Sequence, residues 1–185
     1  MPQELFFTKA AAARILPFAT KIEALRVLSG LIQVTYKTKK GRCSTFLSKK
    51  AFYQDFTTFR QEGAKTCTVV EWAAWKYDWT QNYRYDVTSD SKKTYMVEIS
   101  DITGNTYCDC ADHDQQLEEL GNAKVGCKHI LATLNQKGYG SLAEYIDAVE
   151  RRAYADLFGD QDRSSARHFG EEFFHPKDAS TVAIA

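Results

Sequence analysis

Apolar and polar positions alternate with a period of two in two separate stretches of this chain. Ile32, Val34 and Tyr36 alternate with Gln33, Thr35 and Lys37, Lys39-Lys40-Gly41-Arg42 reads as a turn, and Ser44 to Leu47 returns as a partner strand. Farther on, Tyr83, Tyr85 and Val87 alternate with Asn82, Arg84 and Asp86, and Tyr95, Val97 and Ile99 with Thr94, Met96, Glu98 and Ser100. These two runs flank the polar loop Ser89 to Lys93, and a turn at Thr103-Gly104-Asn105 leads into Tyr107 and a third short strand. Helical spacing occupies the intervals between these stretches. Lys9 to Leu16 predicts a helix stopped by Pro17, and Thr20 with Glu23 three residues on has the form of a capping box opening a second helix. Ser48 caps a helix whose expected apolar face is Phe52, Phe56 and Phe59. Gln115 to Leu120 leads to a helix stop at Gly121-Asn122, and Ile130, Leu131 and Leu134 keep a helical period up to Gly138. Ser141 and Glu144 form a last capping box, before a helix with Leu142, Tyr145, Ile146, Val149, Ala153 and Leu157 on one face and Gly159 at its end. That face is expected to pack back on the body or on a partner chain.

The succession predicts an α+β protein. It reads as N-terminal helices with a β-hairpin and helix over 1–65, a β-meander with a metal-binding module over 66–140, an amphipathic helix over 141–159 and a loosely ordered tail over 160–185. Between the first two parts, Trp72, Trp75 and Trp79 stand at i, i+3 and i+7, although Thr68-Val69-Val70 before them has strand character. The stripe is expected to be core, with stacking on unpaired bases as the alternative.

Length and composition set limits on this picture. The chain has 185 residues, 44% hydrophobic and 26% charged, which suits one ordinary domain or two small ones. No basic n-region with an apolar h-region and no run long enough to span a bilayer is present, so an intracellular protein without a membrane association is expected. The net charge of zero hides a dipole, because residues 1–65 hold 12 Lys and Arg against 4 Asp and Glu. Lys37, Lys39, Lys40, Arg42, Lys49 and Lys50 cluster within that part and form a candidate nucleic-acid surface, with DNA favoured over RNA. Two other readings stay open. Lysines at hairpin tips and helix starts are often solvated charges that protect strand edges, and the basic part can simply dock on the acidic remainder.

The densest chemistry lies at Cys108-x-Cys110, followed after 16 residues by Cys127-x-His129. Two short claws of thiolate and imidazole suit a tetrahedral Zn²⁺, and four protein ligands with no open position describe a structural site. Buried or redox thiols are the alternative. Cys108 and Cys110 are expected at a strand end, where residues two apart share a face, and Cys127 at a helix start, where free N–H groups favour a thiolate. Five cysteines, an odd number, argue against a disulfide framework, and Cys43 and Cys67 are expected to be small buried hydrophobes. His113 is expected to be solvent-exposed, since the quartet already completes the coordination sphere.

Cys108-x-Cys110 with Gly126-Cys127-Lys128-His129-Ile130-Leu131, after a β-meander, resembles the SWIM-type zinc finger over roughly residues 83–134. The chain departs from the family pattern at Asp109-Cys110-Ala111, where a proline is frequent. The resemblance implies a ββα module with Zn²⁺ on Cys108, Cys110, Cys127 and His129, and a role in DNA binding or protein–protein contact. Enzyme motifs are missing: no phosphate-binding Gly-x-x-x-x-Gly-Lys, His-Glu-x-x-His, Gly-x-Ser-x-Gly or dinucleotide fingerprint is present. The carboxylates Asp109, Asp112, Asp114, Glu118 and Glu119 read as a solvated acidic loop. A non-catalytic nucleic-acid-binding protein is therefore expected, with a protein-interaction adaptor built on the zinc module and last helix as the alternative.

Overall fold

Thr8 opens the first sustained helix by accepting a hydrogen bond from the Ala11 backbone N–H at 3.0 Å. In this computed structural model, which describes residues 3–72, 82–121 and 125–158, a single turn α1 (Gln3–Phe6) precedes it and α2 spans Lys9–Ile15. Strands β1 (Lys21–Val27), β2 (Leu31–Thr38) and β3 (Gly41–Ser48) then form an antiparallel sheet in chain order. The capping box expected at Thr20 and Glu23 does not open a helix. A bulge between Ile22 and Ala24 lengthens β1 by one residue, so Ile22, Leu25 and Val27 lie opposite Tyr36, Val34 and Ile32 on the same face. The three-residue step from Ile22 to Leu25 imitates a helical period while serving a strand.

Helix α3 (Lys49–Ala64) is capped as expected, the Ser48 hydroxyl accepting from Ala51 N–H at 3.2 Å. Phe52 fills the core between helices and sheet with Ala11, Ala12, Leu16, Ile22, Ile32, Val34 and Tyr36. Phe56 joins a smaller cluster with Leu5 and Phe6. Phe59 is not core. It is 54% exposed and is roofed by the Arg14 guanidinium, 4.0 Å from its ring centre, which Asp55 holds at 2.6 Å. Cys43, expected to be buried, is exposed on β3.

The second sheet, β4 (Thr68–Glu71), β5 (Asn82–Thr88), β6 (Thr94–Ser100) and β7 (Thr106–Cys108), is again antiparallel in chain order. Tyr85, Val87, Val97 and Ile99 share one face, and α5 (Lys128–Gln136) and α6 (Leu142–Phe158) cover it with Ile130, Leu134, Tyr145 and Val149. Each such burial contributes about 1.5–3 kcal/mol relative to exposure. The last helix therefore packs on the body through Tyr145 and Val149, but Ala153 on the expected stripe is exposed. Helix α4 (Ala111–Leu120) ends at Gly121, whose φ of 67° is left-handed, with its N–H donating to Leu117 O. Helix α3 lies against α5, and Arg60 of α3 reaches Asp112 of α4 with two hydrogen bonds, one of 3.0 Å. Trp72 is 41% exposed just past β4, whereas Trp75 and Trp79 lie outside the described residues, as does the tail. Among the described residues no helix is long and apolar enough to cross a membrane.

Candidate metal centre

Two helix starts and one strand end meet at the quartet. Cys108 closes β7, paired with Val97 of β6, and the ladder runs one residue further through the Asp109 N–H to Met96 O at 3.2 Å. Asp109 also accepts from Met96 N–H at 3.0 Å, which fixes the first claw to β6. Cys110 was expected in the strand and is instead the N-cap of α4. Its backbone is still extended (φ −95°, ψ 147°), so the expected shared face holds although the strand has ended. Cys127 is the N-cap of α5, as its position before Ile130, Leu131 and Leu134 implied. The second claw is tied to the sheet by the Thr106 hydroxyl, which donates to Val125 O at 2.8 Å inside the protein.

All four side chains are buried, and their ligand atoms lie within 4.8 Å of one another. The Cys108 and Cys127 sulfurs stand 3.7 and 3.8 Å from His129 Nδ1. A tetrahedral ion with bonds of about 2.3 Å to sulfur and 2.0–2.1 Å to nitrogen separates such atoms by about 3.6 Å. The residues present therefore fit a metal ion. Burial and mutual hydrogen bonding move the acidities of the three thiols apart. Cys110 is drawn well below the ordinary 9.0 by hydrogen bonds from Cys108 and then Cys127, with the backbone N–H of His113 adding to the effect. Cys108 is pushed up, first by its hydrogen bond with Cys110, and Cys127 is pushed up chiefly by burial. Thiolates crowded together and buried repel one another, and a divalent ion among them would offset that repulsion.

Sequence reasoning missed two neighbours of the site. Tyr95 stacks on the His129 ring at 4.2 Å and 28°, and Lys93 lies 4.7 Å above Tyr95. The signal was present in the alternation, since Tyr95, Val97 and Ile99 share a face and Val97 pairs with Cys108. His113 was expected in solvent and is 1% exposed, edge-on to Tyr107 at 5.5 Å. It is not part of the quartet, and neither ring nitrogen has a hydrogen-bond partner among the described residues. It rides the inward face of α4 beside Gln116, three residues on, which is buried too. Cys67 is half-buried against the main core, its thiol raised by burial.

The six basic residues do not form one patch. Lys37 and Arg42 are paired across β2 and β3, and both hold Glu23, at 3.3 and 2.8 Å. Lys39 and Lys40 stand exposed at the intervening turn. Lys49 and Lys50 begin α3 at the other end of β3, about 23 Å away at about 3.3 Å per strand residue. Against the second sheet, a cavity of about 550 Å³ is lined by Asn82, Glu98, Tyr107, His113 and Leu117 among others. No family model matches this chain, and neither a curated protein nor a solved structure matches it.

Proposed function

We propose that this chain is a non-catalytic nucleic-acid-binding protein whose Cys108, Cys110, Cys127 and His129 hold a structural Zn²⁺ in a SWIM-type module. The observation that carries the metal part of the reading is the closed, buried set of three sulfurs and one imidazole nitrogen within 4.8 Å. Thiolate and imidazole together favour zinc, and four protein ligands leave no position for a substrate. DNA is the favoured partner because the positive charge concentrates in the N-terminal part, where Lys39 and Lys40 have no carboxylate partner among the described residues. Elemental analysis of purified protein tests the metal: one zinc per chain is expected, falling to none in Cys127→Ala. Binding to duplex DNA at rising salt tests the partner, and a steep loss of affinity is expected.

One observation favours the adaptor reading as second choice. Ile102, Tyr107 and Leu117 are apolar, exposed and gathered at the cavity beside α4, a surface suited to a protein side chain. A partner held there would dissociate little with added salt, unlike a phosphate backbone.

A further inference from the structure

One face of the N-terminal sheet is covered by α2 and α3, and the other is open. The register assigns its residues. On β2 the outward positions are Leu31, Gln33, Thr35 and Lys37, since Ile32, Val34 and Tyr36 are buried. Their partners Ser48, Phe46, Ser44 and Arg42 on β3 share that face, as do Arg26, Ala24 and Lys21 on β1. Four cations, Lys21, Arg26, Lys37 and Arg42, stand there against the single carboxylate of Glu23. Lys21 and Arg26 lie on one edge strand and Arg42 on the other. Between them, on β2, run the hydrogen-bonding groups of Gln33 and Thr35, with the Gln33 amide donating to Ser44 Oγ of β3 at 3.4 Å. Phe46 sits in the same row as Gln33, 56% exposed.

We infer that this open sheet face, on which Lys21 and Arg26 join Lys37 and Arg42 and from which Lys49 and Lys50 are left out, is the nucleic-acid surface, and that it enters the major groove of duplex DNA. The inference rests on the proposed function and names its contact residues. Strand axes lie about 4.8 Å apart, so the side chains of central β2 can enter a groove about 12 Å wide while β1 and β3 lie along its two phosphate walls. Cations on both edge strands then face the phosphates along the two walls, and the central polar row faces base edges. Phe46 offers an apolar contact to a thymine methyl. Lys39 and Lys40 extend the positive charge at the hairpin tip, while Lys49 and Lys50, at the far end of β3 on α3, lie off this face. An RNA duplex is a poor fit, because its major groove is too deep and narrow for side chains to read.

The test uses the full, zinc-loaded chain and a labelled mixed-sequence DNA duplex of about 20 base pairs, followed by fluorescence anisotropy across a salt series. The double variant K21A/R26A is expected to bind at least about tenfold more weakly and to lose about 2 from the slope of log affinity against log salt. K49A/K50A is expected to stay within about twofold of the parent. Both pairs are surface substitutions, and unchanged thermal melts establish that each variant is folded. Gln33→Ala should keep the salt slope and narrow the difference between duplex sequences. If the parent binds and K49A/K50A loses affinity while K21A/R26A does not, the surface is misassigned and the proposed function stands. Equal affinity for single-stranded DNA or an RNA duplex overturns the groove. A parent that binds no nucleic acid at any salt overturns the proposed function and this inference together.

Discussion

His113 shows what a single side chain can carry. It is buried beside Tyr107, and neither ring nitrogen has a hydrogen-bond partner among the described residues, the Asp114 carboxylate standing 3.9 Å from Nδ1, so the imidazole chiefly supplies volume. His113→Leu is therefore expected to change stability by less than about 1 kcal/mol, while His113→Ala, which leaves a void, costs about 2–3 kcal/mol. Zinc content should remain one per chain in both variants, and its loss in His113→Leu would show that the ring touches the metal. Tyr85 and Tyr145 make a different kind of statement. Burial pushes both phenols above their ordinary 10.0, and Tyr145 donates its hydroxyl proton to Ser100 O at 2.7 Å. Above that pH the folded chain holds protons that the unfolded chain has released, so these groups stabilise fully below pH about 10 and progressively less above it. In an alkaline absorbance titration two tyrosines should stay protonated until the chain unfolds, and a smooth titration of every tyrosine before unfolding contradicts their burial.

Among the elements, the Arg60 link between α3 and α4 is the most exposed to test. The Arg60 guanidinium lies 3.3 Å over the Phe56 ring, donates to Phe56 O and reaches Asp112, so one side chain joins α3 to the helix that Cys110 opens. Asp112 is 38% exposed, which weakens the pair, and Asp112→Ala is expected to cost about 1–2 kcal/mol in urea unfolding. A double-mutant cycle with Arg60→Met should recover a coupling of about 1 kcal/mol, and additive losses would mean the two do not act together. How far these elements were legible depends on where each draws its order. β5 and β6 were readable because their pleat alternates without interruption, and α3 and α6 because Ser48 and Ser141 really cap them, at 3.2 and 3.1 Å. β1 was not, because its bulge converts a strand period into a three-residue spacing and Glu23, placed like a capping residue, serves Lys37 and Arg42. Phe59 was misread because spacing along α3 says nothing of where the sheet beneath it ends. The quartet was legible, as its chemistry is local, whereas the separation of Lys37 to Arg42 from Lys49 and Lys50 depends on the length of a strand.

At the scale of the whole molecule, the two larger cores among the described residues meet along α3 and α5, and one of them contains the candidate metal ligands. Cys108, Cys110 and Cys127 belong to the cluster with Tyr85, Val97 and Tyr145, while Ile32, Val34 and Phe52 form their own with α2 and the first sheet. An ion held by the four side chains would tie β7, α4 and α5 together at one point, so removing it is expected to free the start of both helices at once. Zinc in thousandfold excess over its dissociation constant stabilises by about 4 kcal/mol, and each kcal/mol is worth about 2–4 °C in a chain of this size. A strong chelator should therefore lower the melting temperature by about 8–16 °C. The loss should also be uneven. Amides of α4 and of the first turn of α5 should lose hydrogen-exchange protection first, because their N-caps, Cys110 and Cys127, make no side-chain capping bond of their own. Amides of Ile32 and Val34, central in a sheet whose core holds no ligand, should stay protected after chelation. Equal loss across both sheets would mean that α3 transmits the metal's contribution through the entire fold, and that the two cores are one cooperative unit.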